Sequence, residues 1–288
     1  MKIGCHGLVW TGNFDTPGIR HAVTQTRQAG FDLIEFPLMD PATFDSKTAR
    51  AALDDEGIEA TGSLGLSAET DISSEDPTRM RAGEDLLNRA VDVLAELGSQ
   101  HLCGVIYSAM QKYDAPSTEA GIANSRTVIG NVAGRAAEAG ISVSVEVTNR
   151  YESNVLNTAR RAREFVSGMT PAVGVHLDTY HMNIEESSMF APVLETAAEL
   201  DYVHIGESHR GYLGTGSVDF ASFFKALHQI DYDGPVVFES FSSTVVSPTL
   251  TSALGIWRNL WEDGADLGAH ANAFIRGHLA ASASLRHH

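Results

Sequence analysis

The feature that most constrains the fold is a regular alternation of two kinds of segment along the 288 residues. Eight short apolar runs, rich in β-branched residues, alternate with segments whose apolar residues recur at helical spacing. We predict strands at residues 2–5, 33–37, 60–64, 102–107, 142–147, 173–178, 202–206 and 236–241. Strands that alternate with helices pair in parallel, and eight such units predict an α/β fold of the (β/α)8 TIM-barrel type.

The ends of the predicted helices carry the expected signals. Asp76 is a predicted N-cap followed by proline, Gly98 is placed to end the same helix, and Asp219 is a second predicted N-cap. An open doubly wound sheet is the alternative, but the chain has neither a GxGxxG fingerprint nor a P-loop. We therefore predict one barrel domain over residues 1–288, with a C-terminal helical tail at about 250–285.

The tail is predicted to form two additional helices, one of which carries Trp257, Leu260 and Trp261. These aromatic residues would cover the bottom of the barrel or form a subunit contact, and packing within the monomer is the default expectation. The terminal residues 286–288 (RHH) are either native or the remnant of a tag. They play no part in the functional interpretation.

The charge of the chain excludes several classes of protein. With 20 Lys and Arg against 37 Asp and Glu, the net charge is −17, which opposes binding to nucleic acid or to an anionic membrane. Cys5 and Cys103 both lie in apolar strand-like runs and are expected to be buried free thiols. Because the sequence shows neither a leader pattern nor an apolar run of spanning length, we expect a cytoplasmic protein.

Acidic or imidazole groups stand within or at the ends of the last four predicted strands. These residues are Glu146, Asp178, His204 and Glu239. Active sites of TIM barrels lie at the carboxyl ends of the strands, and the spacing of these residues is about one strand–helix unit. The sequence therefore predicts that the four side chains are neighbours around one ring.

A divalent cation is the simplest explanation for this ring. Isolated carboxylates in apolar strands are costly unless they are paired or bound to a metal, and clustered carboxylates repel one another. Three oxygen ligands and one imidazole favour Mn²⁺, with Mg²⁺ and Co²⁺ as alternatives. The alternative is that each group is solvated or paired with a nearby cation. The regular spacing of the four residues, about one strand–helix unit each, argues against it.

At these residues the chain resembles the ketose 3-epimerases, which act on D-tagatose, D-allulose (D-psicose) or L-ribulose and share the xylose-isomerase-like barrel. The matching segments are 146–152 (EVTNRYE), 176–186 (HLDTYHMNIEE), 204–210 (HIGESHR) and 238–241 (FESF). The run at 176–186 is the most specific, and the resemblance covers essentially the whole chain. The L-ribulose and D-allulose 3-epimerases are the most similar group.

The resemblance implies that the quartet binds the metal and that Glu146 and Glu239 are also the acid/base pair. It further implies that Glu152, His181 and Arg210 bind the O1–O3 end of the ketose, and that His6 contacts its distal end or serves only in packing. Catalysis would invert C3 by deprotonation and reprotonation through an enediolate, without an organic cofactor. The partners implied are a small ketose and further copies of the chain, with a homotetramer favoured over a dimer.

Four alternatives remain at this point. An aldose–ketose or hydroxypyruvate-type isomerase would exchange a proton at C1 on the same barrel, and an inosose-type dehydratase is a second enzyme of this kind. A metal-dependent endonuclease would need more histidine ligands and a basic surface. A sugar-binding barrel without activity predicts a damaged quartet, whereas the quartet is intact.

Overall fold

Each predicted apolar run contributes a strand in the computed structural model, which describes residues 1–284. The strands are β1 (Ile3–His6), β2 (Leu33–Pro37), β3 (Glu59–Ser63), β4 (His101–Cys103), β5 (Ser142–Val147), β6 (Gly174–Asp178), β7 (Leu200–Ile205) and β8 (Val236–Phe238). Each strand pairs in parallel with the next one along the chain, and β1 pairs with β8 to close the barrel. The predicted TIM barrel is confirmed. Residue 285 of the predicted tail and residues 286–288 lie outside the described residues.

Helices surround this barrel, and two of them begin directly after the predicted N-caps Asp76 and Asp219. Asp76 accepts a hydrogen bond from Thr78 N at 2.8 Å, and Gly98 ends the same helix with a φ of 68°, in the left-handed conformation typical of helix ends. The helices are α1 (Thr16–Gln28), α2 (Ser46–Glu56), α3 (Pro77–Leu97), α4 (Glu119–Glu138), α5 (Ala159–Val166), α6 (Thr179–Glu185), α7 (Ala191–Glu195), α8 (Phe220–Gln229), α9 (Pro248–Ala253) and α10 (Gly264–Ser284).

Two strands end earlier than predicted, whereas the other strand ends agree within two residues. Strand β4 stops at Cys103 because Gly104 turns the chain with a φ of 111°. A Cβ at Gly104 would lie 2.4 Å from the Leu64 carbonyl oxygen, so the turn depends on glycine. Residues 105–107 are buried without strand pairing. Strand β8 stops at Phe238, and Glu239 therefore follows the strand.

The prediction that Trp257, Leu260 and Trp261 lie on a helix is wrong. Helix α9 ends before Gly255, which has a φ of 64°, and the segment between α9 and α10 is irregular. Trp261 is buried and donates its Nε1 proton to Ser240 Oγ at 2.8 Å. Since Ser240 follows β8, Trp261 packs at the carboxyl end of the barrel and not at its bottom. Trp257 is 77% exposed.

Cys103 packs with Leu33, Tyr202 and Val237, whereas Cys5 belongs to the larger apolar core. Cys5 on β1 and Cys103 on β4 are buried free thiols, as predicted. Helix α10 packs against α8 through an edge-to-face contact of Phe274 with Phe220, whose ring centroids are 5.1 Å apart. Within residues 1–284, the helices lack the combination of length and apolar character needed to cross a membrane.

Candidate metal centre and active site

Four side chains from consecutive strands converge at the carboxyl end of the barrel. Glu146 lies in β5, Asp178 ends β6, His204 lies in β7 and Glu239 follows β8. All four are buried. The register of β6 and β7 pairs Asp178 with His204. The structure thus brings together the four residues that the sequence singled out.

The distances within this quartet are short enough for one cation to be shared. His204 Nδ1 lies 3.5 Å from Glu239 Oε1 and 3.9 Å from Glu146 Oε1. One ligand atom from each of Asp178, His204 and Glu239 lies within 4.8 Å of the other two. The same holds for Glu146, Asp178 and His181. These two overlapping groups form a candidate metal centre.

His204 provides a direct test of whether the site fits a cation. Its Nε2 lies 2.8 Å from Glu35 Oε2, in hydrogen-bonding contact. Its Nδ1 is buried and has no hydrogen-bond partner within residues 1–284. A buried polar atom without a partner is costly, whereas a neutral imidazole that donates through Nε2 presents an Nδ1 lone pair suited to metal binding. The side chains therefore fit a divalent cation bound by oxygen and nitrogen ligands.

The two glutamates of the quartet have pKa values shifted in opposite directions. Burial raises the pKa of Glu146. Burial acts in the same sense on Glu239, but Arg210, His204 and His6 together outweigh it and lower the pKa of Glu239 to about 2. Burial favours neutral His204, yet the Glu35 and Glu239 carboxylates raise its pKa to about 10. Two carboxyl groups with separated pKa values are typical of an acid/base pair.

His181 and Glu152 line the side of the site formed by helix α6 and the loop after β5. His181 Nδ1 accepts a hydrogen bond from Asn149 N at 3.1 Å, which leaves Nε2 as the donor. That Nε2 lies 3.4 Å from Glu146 Oε1 and 3.6 Å from Asp178 Oδ2. Glu152 accepts a hydrogen bond from Asn149 Nδ2 at 2.8 Å. Asn149 thus orients both residues.

Arg210 lies above the quartet on the loop after β7. Its Nη1 is 3.3 Å from Asp178 Oδ2 and also pairs with Glu239. The guanidinium stacks over the Tyr180 ring at 3.8 Å from the centroid, a geometry that stabilises a cation. Arg210 has a φ of 62°, and Ser240 Oγ donates a hydrogen bond to its carbonyl oxygen. The loop is therefore held in the conformation that places the guanidinium in the site.

His6 lines a cavity together with the other predicted site residues except Asp178. It ends β1, is 4% exposed, and lies edge-on to Phe241 with ring centroids 5.9 Å apart. The cavity has a volume of about 70 Å³ and opens beside a larger groove of about 690 Å³. The apolar part of the cavity wall includes Leu8, Met110, Phe241, Leu250 and Leu254. The cavity therefore offers polar groups at one end and apolar groups at the other.

Sequence reasoning missed three buried polar residues next to the quartet. Glu35 contacts His204, and Tyr202 contacts Glu35. His176 packs edge-to-face on His204 with ring centroids 4.2 Å apart, and its two ring nitrogens have no hydrogen-bond partner in the described part of the chain. Glu35 carried the same signal as the quartet, an acid inside an apolar strand, but it lies on a strand outside the last four.

Comparisons with known proteins show similarity over most or all of the chain. The family model described as "Xylose isomerase-like TIM barrel" matches residues 23–268. A ketose 3-epimerase from Arthrobacter globiformis is 66% identical and covers 100% of both chains. An L-ribulose 3-epimerase from Methylomonas sp. is 49% identical, covering 96% of this chain and 97% of that protein. The crystal structure of D-allulose 3-epimerase from Methylomonas sp. in complex with D-allulose matches with a TM-score of 0.95 at 48% identity, covering 96% of this chain and 97% of that chain.

Proposed function

The chain belongs to the xylose isomerase-like TIM barrel family, and we propose that it is a metal-dependent ketose 3-epimerase. It inverts C3 of free 2-ketoses and interconverts pairs such as L-ribulose and L-xylulose, D-allulose and D-fructose, or D-tagatose and D-sorbose. The observation that carries the proposal is the pair of buried carboxylates, Glu146 and Glu239, which lie 3.9 and 3.5 Å from His204 Nδ1 in one cavity. The similarity to a ketose 3-epimerase over the whole chain supports the same activity.

The metal is held by Glu146, Asp178, His204 and Glu239. Three carboxylates and one imidazole nitrogen suit Mn²⁺, and they also accept Mg²⁺ or Co²⁺. When bound, the ion supplies Lewis-acid polarisation of the C2 carbonyl, which makes the C3 proton more acidic. This proposal is supported by the ligand atoms of Asp178, His204 and Glu239, which lie within 4.8 Å of one another. Glu146 Oε1 lies 3.9 Å from His204 Nδ1.

Glu146 and Glu239 move the protons. One glutamate, as the carboxylate, removes the proton from C3 of the ketose and leaves a planar enediolate. The other, as the carboxylic acid, delivers a proton to the opposite face of C3, so the configuration inverts. In the reverse reaction the two residues exchange roles. The opposite directions of their pKa shifts support this division of labour.

The remaining polar groups orient the sugar. His181 donates from Nε2, and Arg210 donates from its guanidinium, to O1 and O2 of the ketose, while Glu152 accepts protons from its hydroxyl groups. These roles are supported by the cavity lining, because all three residues line the same cavity as the two glutamates. His6 lies on the cavity wall next to Phe241, and we assign it a contact with the distal end of the sugar.

Deuterium exchange tests this proposal. The protein is incubated with Mn²⁺ in D₂O with L-ribulose, D-allulose or D-fructose, and the position of the label is read by NMR. Deuterium at C3 together with the 3-epimer is the expected result, and a sample treated with EDTA serves as the control. Label only at C1 would identify an aldose–ketose isomerase instead. An absence of exchange from every ketose, with metal bound, would refute the proposal.

We also propose that residues 1–288 form one domain that acts in the cytoplasm as a homo-oligomer, with a tetramer favoured over a dimer. Two buried thiols without a disulfide suit a reducing compartment. Trp257, Tyr151 and Ile184 are apolar and exposed, and Ile184 belongs to the segment after β6. Light scattering coupled to size-exclusion chromatography measures the subunit number, and a monomeric mass would contradict the proposal.

A further inference from the structure

Glu35 is a buried carboxylate with no role in the site described so far. It lies in the middle of β2 and its relative exposure is 0%. Burying a carboxylate without a compensating partner is very costly. Its contacts should therefore show what the charge is used for.

The contacts of Glu35 converge on one of its oxygens. Oε2 lies 2.8 Å from His204 Nε2 and accepts a hydrogen bond from the Tyr202 hydroxyl at 2.7 Å. Thr61 Oγ1 lies 2.6 Å from the same hydroxyl. Because Tyr202 gives its one hydroxyl proton to Glu35, Thr61 is the donor to Tyr202. The other oxygen, Oε1, lies 3.4 Å from His6 Nε2.

The barrel is what brings these groups together. The register pairs His6 with Glu35 and Glu35 with Thr61 across β1, β2 and β3. Tyr202 and His204 lie on β7, and Glu35 and His204 are 169 positions apart in sequence. The network therefore crosses the barrel interior and contacts His204 on its Nε2 side, away from Glu146 and Glu239.

We propose that Glu35 is a positioning residue that fixes His204 for metal binding. The inference rests on the metal site of the proposed function. By accepting a hydrogen bond from the N–H of His204 Nε2, Glu35 holds the neutral ring in the tautomer whose lone pair is at Nδ1, the atom that faces the quartet. The hydrogen bond also prevents rotation of the ring and makes Nδ1 more basic. Carboxylates that contact a metal-binding histidine in this way contribute about 10- to 100-fold to metal affinity or activity.

A purely structural role for Glu35 makes a different prediction. In that case, replacing it would lower the stability of the fold and leave the affinity of the correctly folded protein for metal unchanged. Metal affinity and thermal stability must therefore be measured separately. Asp201 provides a matched control because it lies on the same strand as His204 and accepts hydrogen bonds from Ser142 Oγ and Ser144 Oγ.

The experiment compares Mn²⁺ binding by the full-length wild type, Glu35→Gln and Asp201→Asn, with free Mn²⁺ measured by electron paramagnetic resonance. Thermal unfolding in EDTA reports whether each variant is folded. We expect Glu35→Gln to bind Mn²⁺ at least about 10-fold more weakly and Asp201→Asn to bind it within about twofold of the wild type. A loss smaller than about 10-fold in folded Glu35→Gln overturns the inference. A wild type that does not bind Mn²⁺ would instead refute the metal site itself.

A measurement on the wild type can still overturn the inference if Glu35→Gln does not fold. In Mg²⁺-loaded protein labelled with ¹⁵N-histidine, NMR distinguishes the two imidazole tautomers. The resonances of His204 are assigned by their absence from His204→Asn. We expect a proton on Nε2 and none on Nδ1. The opposite tautomer would overturn the role assigned to Glu35.

Discussion

Metal binding by this ketose 3-epimerase is expected to release a proton from His204 near neutral pH. In the metal-free protein the neighbouring carboxylates, Glu35 first, overcome the effect of burial and raise the pKa of His204 to about 10. At pH 7 the ring is therefore protonated, and a proton on Nδ1 would occupy the position that the cation needs. Metal ligands must be deprotonated, so lowering the pH opposes binding.

The size of the effect follows from the number of protons displaced. Between pH 6 and pH 8 the pH is at least two units below the pKa of about 10, so one full proton leaves His204 for each ion bound. The dissociation constant should then fall about tenfold per pH unit, or about 100-fold over this range, equivalent to ~2.7 kcal/mol. Burial also raises the pKa values of Glu146 and Asp178, so any protons that they carry act in the same direction at lower pH.

Two assays check this prediction. Mn²⁺ dissociation constants are measured by electron paramagnetic resonance at pH 6, 7 and 8. Calorimetric titrations at pH 7 in buffers with different ionisation enthalpies give the number of protons released, with Ca²⁺ binding to EGTA as the calibration. We expect about one proton or more per Mn²⁺ ion. A dissociation constant that is independent of pH from 6 to 8, with no proton release, would refute the reasoning.

Two further predictions concern single residues. Replacing Glu146 or Glu239 by glutamine should lower kcat by at least about 10²-fold, because each variant lacks one proton-transfer group, while circular dichroism and thermal unfolding in EDTA still report a folded barrel. Turnover close to the wild-type rate in either variant would contradict the acid/base assignment. Trp261→Phe should destabilise the fold by about 1–3 kcal/mol in urea unfolding, because it removes a buried hydrogen-bond donor. The matched exposed substitution Trp257→Phe should change stability by less than about 0.5 kcal/mol, and equal effects of the two would argue against this role of Trp261.

The architecture was predictable because parallel strands buried on both faces appear as short apolar runs. The ends of the apolar runs predicted the ends of strands and helices less well. Residues 105–107 are as apolar as a strand, yet Gly104 turns the chain before them. Similarly, Trp257 and Trp261 have helical spacing but lie in an irregular segment, where one is exposed and the other is buried. Apolar character indicates burial, whereas backbone conformation also depends on turns that tertiary contacts select.

The candidate site was predictable to the extent that topology determines it. Once the chain is a barrel, strand ends that follow one another in sequence are neighbours in space, which is why Glu146, Asp178, His204 and Glu239 meet. Glu35 could not be assigned in the same way, because its partner His204 is 169 positions away on the other side of the barrel. Only the folded chain shows that β2 and β7 contact each other through these side chains.

The charge balance of this site argues for a divalent cation more strongly than the net charge of −17 does. Four carboxylates, each at most 7% exposed, converge here: Glu35, Glu146, Asp178 and Glu239. Two cations face them, of which Arg210 is permanently charged and His204 is charged only while it is protonated. With all four carboxylates ionised and His181 neutral, as the acceptor role of its Nδ1 requires, two negative charges exceed both cations, and a divalent cation would offset them. Arg210 pairs with two of the quartet carboxylates, so its charge offsets only part of theirs.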